Sequence, residues 1–462
     1  MLPSLRLGLL VASLALVASA LAVGVQDPPR GPFGLSRITT HDGARASLDQ
    51  FFVSSDCALC HPRQGAELAG SMHSVAHEDP LYRAFAELAR EEAGPEMYAY
   101  CSGCHSPAGV VAGAIPDVPE AALPAEAKAG VTCDVCHQIE ALNGPAGPWG
   151  EPGNASFVLH PGRTKFGPLD TIARNPAHTA ERREFFESSE FCASCHTVIH
   201  PTNGLRIEHT YDEWKRSVYA EKGIQCQDCH MASVEDAIQV AATLQPLERR
   251  GRSATKGDER AISPHFFVGG NVDAERLGGD RKHAEMAEAR LKSAATLALE
   301  VAPRAAGAEL AFELAFEVVV HNVGAGHALP TSLTELREMW LHVRVLAADG
   351  RVLLESGALD ATGELTAGAA RFGAITLDAR GEKTFKPWEA VSFGWKRVVP
   401  PKGSTRDAYR CALPADAGDA TIEARLLYRI APPHVVREVL GERAFEPEVV
   451  EMATVRAAVP AR

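Results

Sequence analysis

Outside five short motifs the chain has one cysteine, Cys411, of eleven in all. That leaves no thiols for a disulfide framework anywhere else in its 462 residues. Positive charge is not in surplus either, since the formal net charge is −13. Nucleic acid is therefore not an expected partner, because it calls for a basic footprint. After residue 25 no stretch is long and apolar enough to span a bilayer. No cysteine closely follows the first apolar run, which argues against a lipoprotein anchor. A regular repeat is also missing. The motif starts lie 44, 32, 59 and 34 residues apart, too uneven for a solenoid.

The motifs themselves are five copies of Cys-X-X-Cys-His: Cys57/Cys60/His61, Cys101/Cys104/His105, Cys133/Cys136/His137, Cys192/Cys195/His196 and Cys226/Cys229/His230. This pentapeptide is the c-type haem attachment pattern. Two thiols three residues apart lie on one side of a helical turn, so each can form a thioether to one haem vinyl group. The histidine that follows then supplies the proximal nitrogen to the iron. Zinc tolerates paired Cys-X-X-Cys, but zinc does not explain a histidine after every pair. Five covalently attached haems c are the expected cofactors.

The length suits two or three domains, and 46% hydrophobic with 23% charged residues is ordinary for a soluble globular chain. Five haems would add ten propionates to the acidic balance. A redox partner protein of basic character fits that surface, as does plain solvation. The N-terminus reads as a secretory signal, residues 1–22. Arg6 precedes an uncharged run of 19 residues from Leu7 to Val25, and Ala18-Ser19-Ala20 and Ala20-Leu21-Ala22 both resemble cleavage sites. An uncleaved membrane anchor is the alternative. Export to the periplasm or the outer face of the membrane agrees with haem c, which is attached on that side.

Residues 45–290 hold every motif and read as a mainly α, loop-rich domain. Leu68, Met72 and Val75 predict one helix. Phe85 and Leu88 predict another, ended by Gly94-Pro95. Tyr211, Trp214 and Val218 predict a third, ended by Gly223. The segment Gly144–Gly150 reads as a loop. Only 174 residues run from Cys57 to His230, so porphyrins must form much of that core. Arg281–Leu299 predicts a linking helix. Beyond it Glu309–Val320 alternates polar and apolar, with Leu310, Phe312, Leu314 and Phe316 on one face. Asp349-Gly350 between Trp340–Val345 and Arg351–Leu354 predicts a hairpin. Thr421–Ile430 alternates again. An antiparallel β-sandwich of immunoglobulin-like kind is expected over 300–462, giving an α+β multidomain protein, with Cys411 as a buried thiol.

A family resemblance rests on Gly70-Ser-Met-His73-Ser-Val-Ala-His77-Glu-Asp-Pro-Leu-Tyr82, on Gly130-Val-Thr-Cys-Asp-Val-Cys-His137 and on Tyr211-Asp-Glu-Trp-Lys-Arg-Ser217. Gly223–Met231 and His265–Asn271 add to it. These segments resemble the multihaem cytochromes c of cytochrome c-552/4 type, which are related to hydroxylamine oxidoreductase. Asn322-Val-Gly-Ala-Gly-His-Ala-Leu-Pro-Thr331 resembles the start of the β domain attached to some of them. The resemblance covers about residues 50–275 and implies haems packed in parallel and perpendicular pairs.

It also implies distal ligands. His73 matches the helix histidine that serves as one, with His77 as its substitute. His178 lies before the fourth motif where a ligand is expected, with His160 as competitor. His265 precedes an apolar pair and a glycine turn. His327 stands among Gly324, Gly326 and Pro330, where it either reaches a haem or only packs in a turn. His209 and His200 compete for a fifth place. No motif carries lysine for the proximal histidine, as the penta-haem nitrite reductases do, and there are five motifs rather than the eight of hydroxylamine oxidoreductase. The favoured reading is an electron carrier with mostly bis-histidine haems. The alternatives are a reductase or oxidase of a small nitrogen or sulfur compound at one five-coordinate haem, and a carrier whose β-sandwich docks to a partner or the cell surface. No catalytic residue is assigned.

Overall fold

The computed structural model describes residues 32–144, 150–170, 176–303 and 312–460. The signal segment, most of the Gly144–Gly150 loop and the Glu309–Leu310 start of the first long strand lie outside the described residues.

The haem-motif region is built of short helices and long loops, with small two- and three-stranded sheets between them. Every motif opens or closes a helical turn. In the first, the amides of Cys60 and His61 both donate to the Cys57 carbonyl, at 3.1 and 2.9 Å. The fourth repeats this on Cys192. The fifth forms the helix Cys226–His230.

The helix expected through Leu68, Met72 and Val75 runs only over Pro62–Leu68. It stops because Gly70 adopts φ +77°, where a Cβ would lie 2.2 Å from the Asp280 carboxylate. His73 therefore sits in a turn rather than on a helix. Pro80–Ala93 is helical as expected, with the Asp79 carboxylate accepting from Leu81 and Tyr82 at its start and Gly94 at its end. The Tyr211–Val218 helix is two pieces, Thr210–Lys215 and Val218–Glu221, because Ser217 turns extended and caps the second.

The linking helix ends at Ala294, not Leu299. From Ala295 to Val301 the chain is a strand paired antiparallel to Phe312–Asn322. Its period of two, with a ladder partner available, outweighs the helix propensity of its alanines and leucines. Beyond it lie two sheets. One has three strands, with Phe312–Asn322 between Ala295–Val301 and Ser404–Leu413. The other has seven, with Glu338–Leu346 and Ala420–Arg429 at its centre in antiparallel register. Glu338–Leu346 and Val352–Ser356 form the expected hairpin, with Gly350 at φ +85°.

Leu314, Phe316, Val318 and Val320 from the smaller sheet share one buried cluster with Met339, Leu341, Val343, Val345, Ile422 and Leu426 from the larger. Cys411 is buried in it too. The cluster does not stop at the sheets. Val268, Val272, Leu277, Ala287 and Leu291, from before the first strand, belong to it. One apolar core thus fastens the β lobe to the last part of the haem-motif region.

Candidate functional site

Four of the five motif histidines face a second histidine. His61 pairs with His178, ring centroids 6.2 Å apart and planes 31° apart. His137 pairs with His265 at 6.3 Å and 24°. His230 pairs with His327 at 6.0 Å and 18°. His196 pairs with His73 at 5.9 Å, with planes 71° apart. Two imidazoles on opposite sides of one metal ion, each bound at about 2 Å, have centroids about 6 Å apart. The spacing fits an iron between each pair. By contrast His41 and His160 stack at 4.0 Å, too close to share an ion.

The fifth motif histidine differs. His105 stacks on Tyr82 at 3.8 Å and 5°, and among the described residues no histidine ring faces it at the spacing of the other four.

The motif rings are oriented from behind. The Nδ1 atoms donate to backbone carbonyls: His105 to Ala76 at 3.1 Å, His137 to Phe166 at 2.6 Å, His230 to Val268 at 2.7 Å, and His61 to Ser253. This fixes the tautomer and leaves Nε2 free to bind metal. His196 is the exception, with Nδ1 3.8 Å from the Glu208 carboxylate. Burial pushes His73 and His230 down to about 3, and His105 and His265 down to about 4. They are held as the neutral ring that ligates metal. At His196 burial also opposes the charge, but Glu208 lifts it to about 9.

Contacts outside the ring pairs position the partners. The His265 amide donates to the Glu67 carboxylate at 2.8 Å, and Glu67 is itself paired with Arg63. The His327 carbonyl accepts from the Asn322 side chain at 2.8 Å, and its Nδ1 donates to the Ala328 carbonyl at 2.9 Å. The neighbouring glycines are needed for close packing. A Cβ on Gly324 would meet the Ser293 carbonyl at 2.4 Å, and one on Gly326 would press on the Tyr219 ring at 3.3 Å. Glu213 then ties the segment to the helical region, accepting from the Ala328 amide at 3.2 Å and the Thr331 hydroxyl at 2.7 Å.

The competing histidines are engaged elsewhere. His77 pairs with Glu120 at 3.1 Å. His160 lies 3.3 Å from Glu140. His200 donates from Nε2 to the Trp388 carbonyl at 3.0 Å, while its Nδ1 accepts from the Thr202 amide at 3.3 Å. His209 packs on Phe393, 5.9 Å between centroids, with Lys396 and Arg206 near enough to add to the burial that lowers it to about 4. It does not face a motif histidine in the manner of the four pairs.

The thiols run from motif to motif. Cys57 and Cys133 are within hydrogen-bonding reach, as are Cys104 and Cys195, and Cys192 and Cys226. Cys136 lies close enough to Cys192 and Cys195 to raise them or be raised electrostatically. The first motif thus adjoins the third, and the fourth adjoins the second, third and fifth. Disulfides across these contacts would leave the remaining thiols and all four histidine pairs without a role. All eleven cysteines are free, and the donor set of paired thiols and paired imidazoles fits covalent haem.

Sequence reasoning missed Tyr82, Glu208 and the carbonyls behind the motif rings. A backbone carbonyl has no sequence signal, and Glu208 reaches its histidine only through tertiary packing.

Motifs, ring pairs and thiol contacts together fit the donor set of a multihaem cytochrome c. The comparisons agree. Residues 56–138 match the family described as cytochrome c554 and c-prime. The fold is similar to that of a penta-heme cytochrome c552 from Thermochromatium tepidum, with a TM-score of 0.61 at 19% identity, over 89% of this chain and 99% of that one. A Northeast Structural Genomics Consortium target, SoR45, aligns at 10% identity over 37% of this chain and 90% of that one, with a TM-score of 0.18, too low to carry an argument. No curated protein matches the chain.

Proposed function

We propose that this is an exported penta-haem cytochrome c that passes electrons along closely packed haems, four of them bis-histidine. The observation that carries the reading is the set of four histidine pairs at 5.9–6.3 Å. Cys57, Cys60, Cys101, Cys104, Cys133, Cys136, Cys192, Cys195, Cys226 and Cys229 hold the five porphyrins. His61, His105, His137, His196 and His230 are the proximal ligands, and His178, His265, His73 and His327 are the distal ones. Haem supplies reversible one-electron iron chemistry, with its potential set by ligands, burial and nearby charge. The protein orients the imidazoles and brings neighbouring attachment thiols together.

In this reading residues 1–22 are a cleaved signal, 45–290 the haem domain, and 300–462 an immunoglobulin-like sandwich. The sandwich belongs to the electron-transfer unit, because His327 comes from its side of the chain. Among the described residues no helix is long and apolar enough to cross a membrane. Redox partner proteins are the expected partners. Mass spectrometry of the exported protein tests the count. Five haem additions on a chain without its signal segment agree with the proposal, and four or fewer refute it.

A second reading attaches to the haem of His105, whose other face has no histidine partner in this geometry. There a small nitrogen or sulfur compound could be reduced or oxidised. Carbon monoxide binding at one haem only in the reduced protein supports such an open position, and no binding removes it.

A further inference from the structure

We propose that Glu208 is a positioning residue that makes the haem of the fourth motif the most negative of the four histidine-paired centres. The proposal rests on the reading of His196 and His73 as ligands to one iron.

The first observation is a contrast among the proximal rings. Four rest on neutral backbone carbonyls, and among the described residues only His196 has a carboxylate within ion-pair distance of its ring, 3.8 Å from Nδ1 and not a hydrogen bond; Asp134 and Glu208 act on His137 and His105 from farther off. Glu208 is buried, 5% exposed. Its backbone is pinned by its own amide and that of Ile207, both donating to the Val198 carbonyl, and the Thr210 hydroxyl lies 3.3 Å from its Oε1. A fixed, buried negative charge behind the ring favours the ferric iron over the ferrous iron, which carries one positive charge fewer. A carbonyl dipole does this more weakly. The electron itself comes from and goes to neighbouring haems, so no other reactant is needed.

The second observation is where this haem stands. Cys195 adjoins Cys104 of the second motif, Cys192 adjoins Cys226 of the fifth, and Cys136 of the third is near both. The fourth motif is the junction of the chain of haems. A low potential there keeps electrons on the surrounding haems, and they occupy the junction only in passing between arms.

The third observation supplies a spectroscopic tag. Near-parallel imidazole planes both raise the same iron d orbital, whereas near-perpendicular planes raise two orbitals alike. The second arrangement gives a highly anisotropic low-spin signal in electron paramagnetic resonance. Only the His196/His73 pair is near perpendicular, at 71°, against 18–31° for the others.

The experiment is a redox titration of the haem-loaded protein followed by electron paramagnetic resonance. In the wild type, the highly anisotropic signal should be the last of the four low-spin signals to disappear on reduction. Reduction of that signal before any other of the four overturns the proposal without any variant, as does any of the others being the last to disappear. In Glu208→Gln its reduction constant should rise about tenfold, about 59 mV for a one-electron couple, while the other signals stay in place. Glu208→Asp, which keeps the charge, should stay near the wild type. An unmoved signal, or an equal shift of all four, overturns the role of Glu208. A wild type with no highly anisotropic signal at all overturns instead the assignment of His73 and His196 to one iron.

Discussion

Replacing His327 by alanine isolates the link between the two halves of the molecule. The ring lies 6.0 Å from His230 with planes 18° apart, so its removal should open one face of the fifth haem and leave that iron five-coordinate. The fold should persist. The substitution also removes a hydrogen bond from Nδ1 to the Ala328 carbonyl, worth about 1 kcal/mol. Other ties between the halves are untouched. Glu213 still holds Ala328 and Thr331, and Glu92 still accepts from Lys386 at 2.6 Å and Trp388 at 3.0 Å. The shared apolar core, with Leu291 and Val272 packed among the strand residues, is also intact. The readout is carbon monoxide bound to the reduced protein. The variant should bind one more molecule per chain than the wild type. A high-spin signal should grow in the oxidised protein to match. An unchanged stoichiometry with all five haems attached would refute ligation by His327 and leave the β lobe a stabilising or docking module.

Further outcomes follow from the same geometry. His73→Ala should abolish the highly anisotropic low-spin signal and add a carbon monoxide site, whereas His77→Ala and His209→Ala should leave every spin state unchanged, as absorption spectra of the variants will show. Gly324→Ala drives a methyl to 2.4 Å from the Ser293 carbonyl and should cost about 2 kcal/mol in thermal unfolding while raising the high-spin fraction at the fifth haem. Burial holds the Glu335 carboxyl up at about 7, with both oxygens lacking a partner and with Glu208 nearby, against the weaker pull of Arg337 and Lys396. The folded protein therefore binds this proton more tightly than the unfolded chain. Its stability should be fully present below about pH 4.5 and fall as pH rises to about 7, by at most about 3 kcal/mol. Glu335→Gln should flatten that part of the unfolding-versus-pH curve, and an unchanged slope would show that the carboxyl finds a partner in the haem-loaded protein.

Attachment chemistry was legible residue by residue, because a thioether pair and its proximal histidine lie within one helical turn and need only local spacing. The alternating strands from Trp340 to Leu354 and from Ala420 to Arg429 were legible for a similar reason, since period two and a turn glycine are local. Helix ends were not. The break after Leu68 depends on Asp280, some two hundred residues away, occupying the space beside Gly70. The change from helix to strand at Ala295 depends on a ladder partner that comes later in the chain.

Which histidines face the motif rings was only partly legible. Thirteen histidines outside the motifs are chemically alike, and a histidine becomes the partner of His61 or His196 only by being carried opposite it. The sequence by itself determined how many attachment motifs the chain carries and which thiols and histidines stand in them. Tertiary structure alone decided which rings oppose which, which proximal ring is backed by a carboxylate, and which haem faces no second histidine. Those are relations across tens to hundreds of residues, set by packing rather than by spacing.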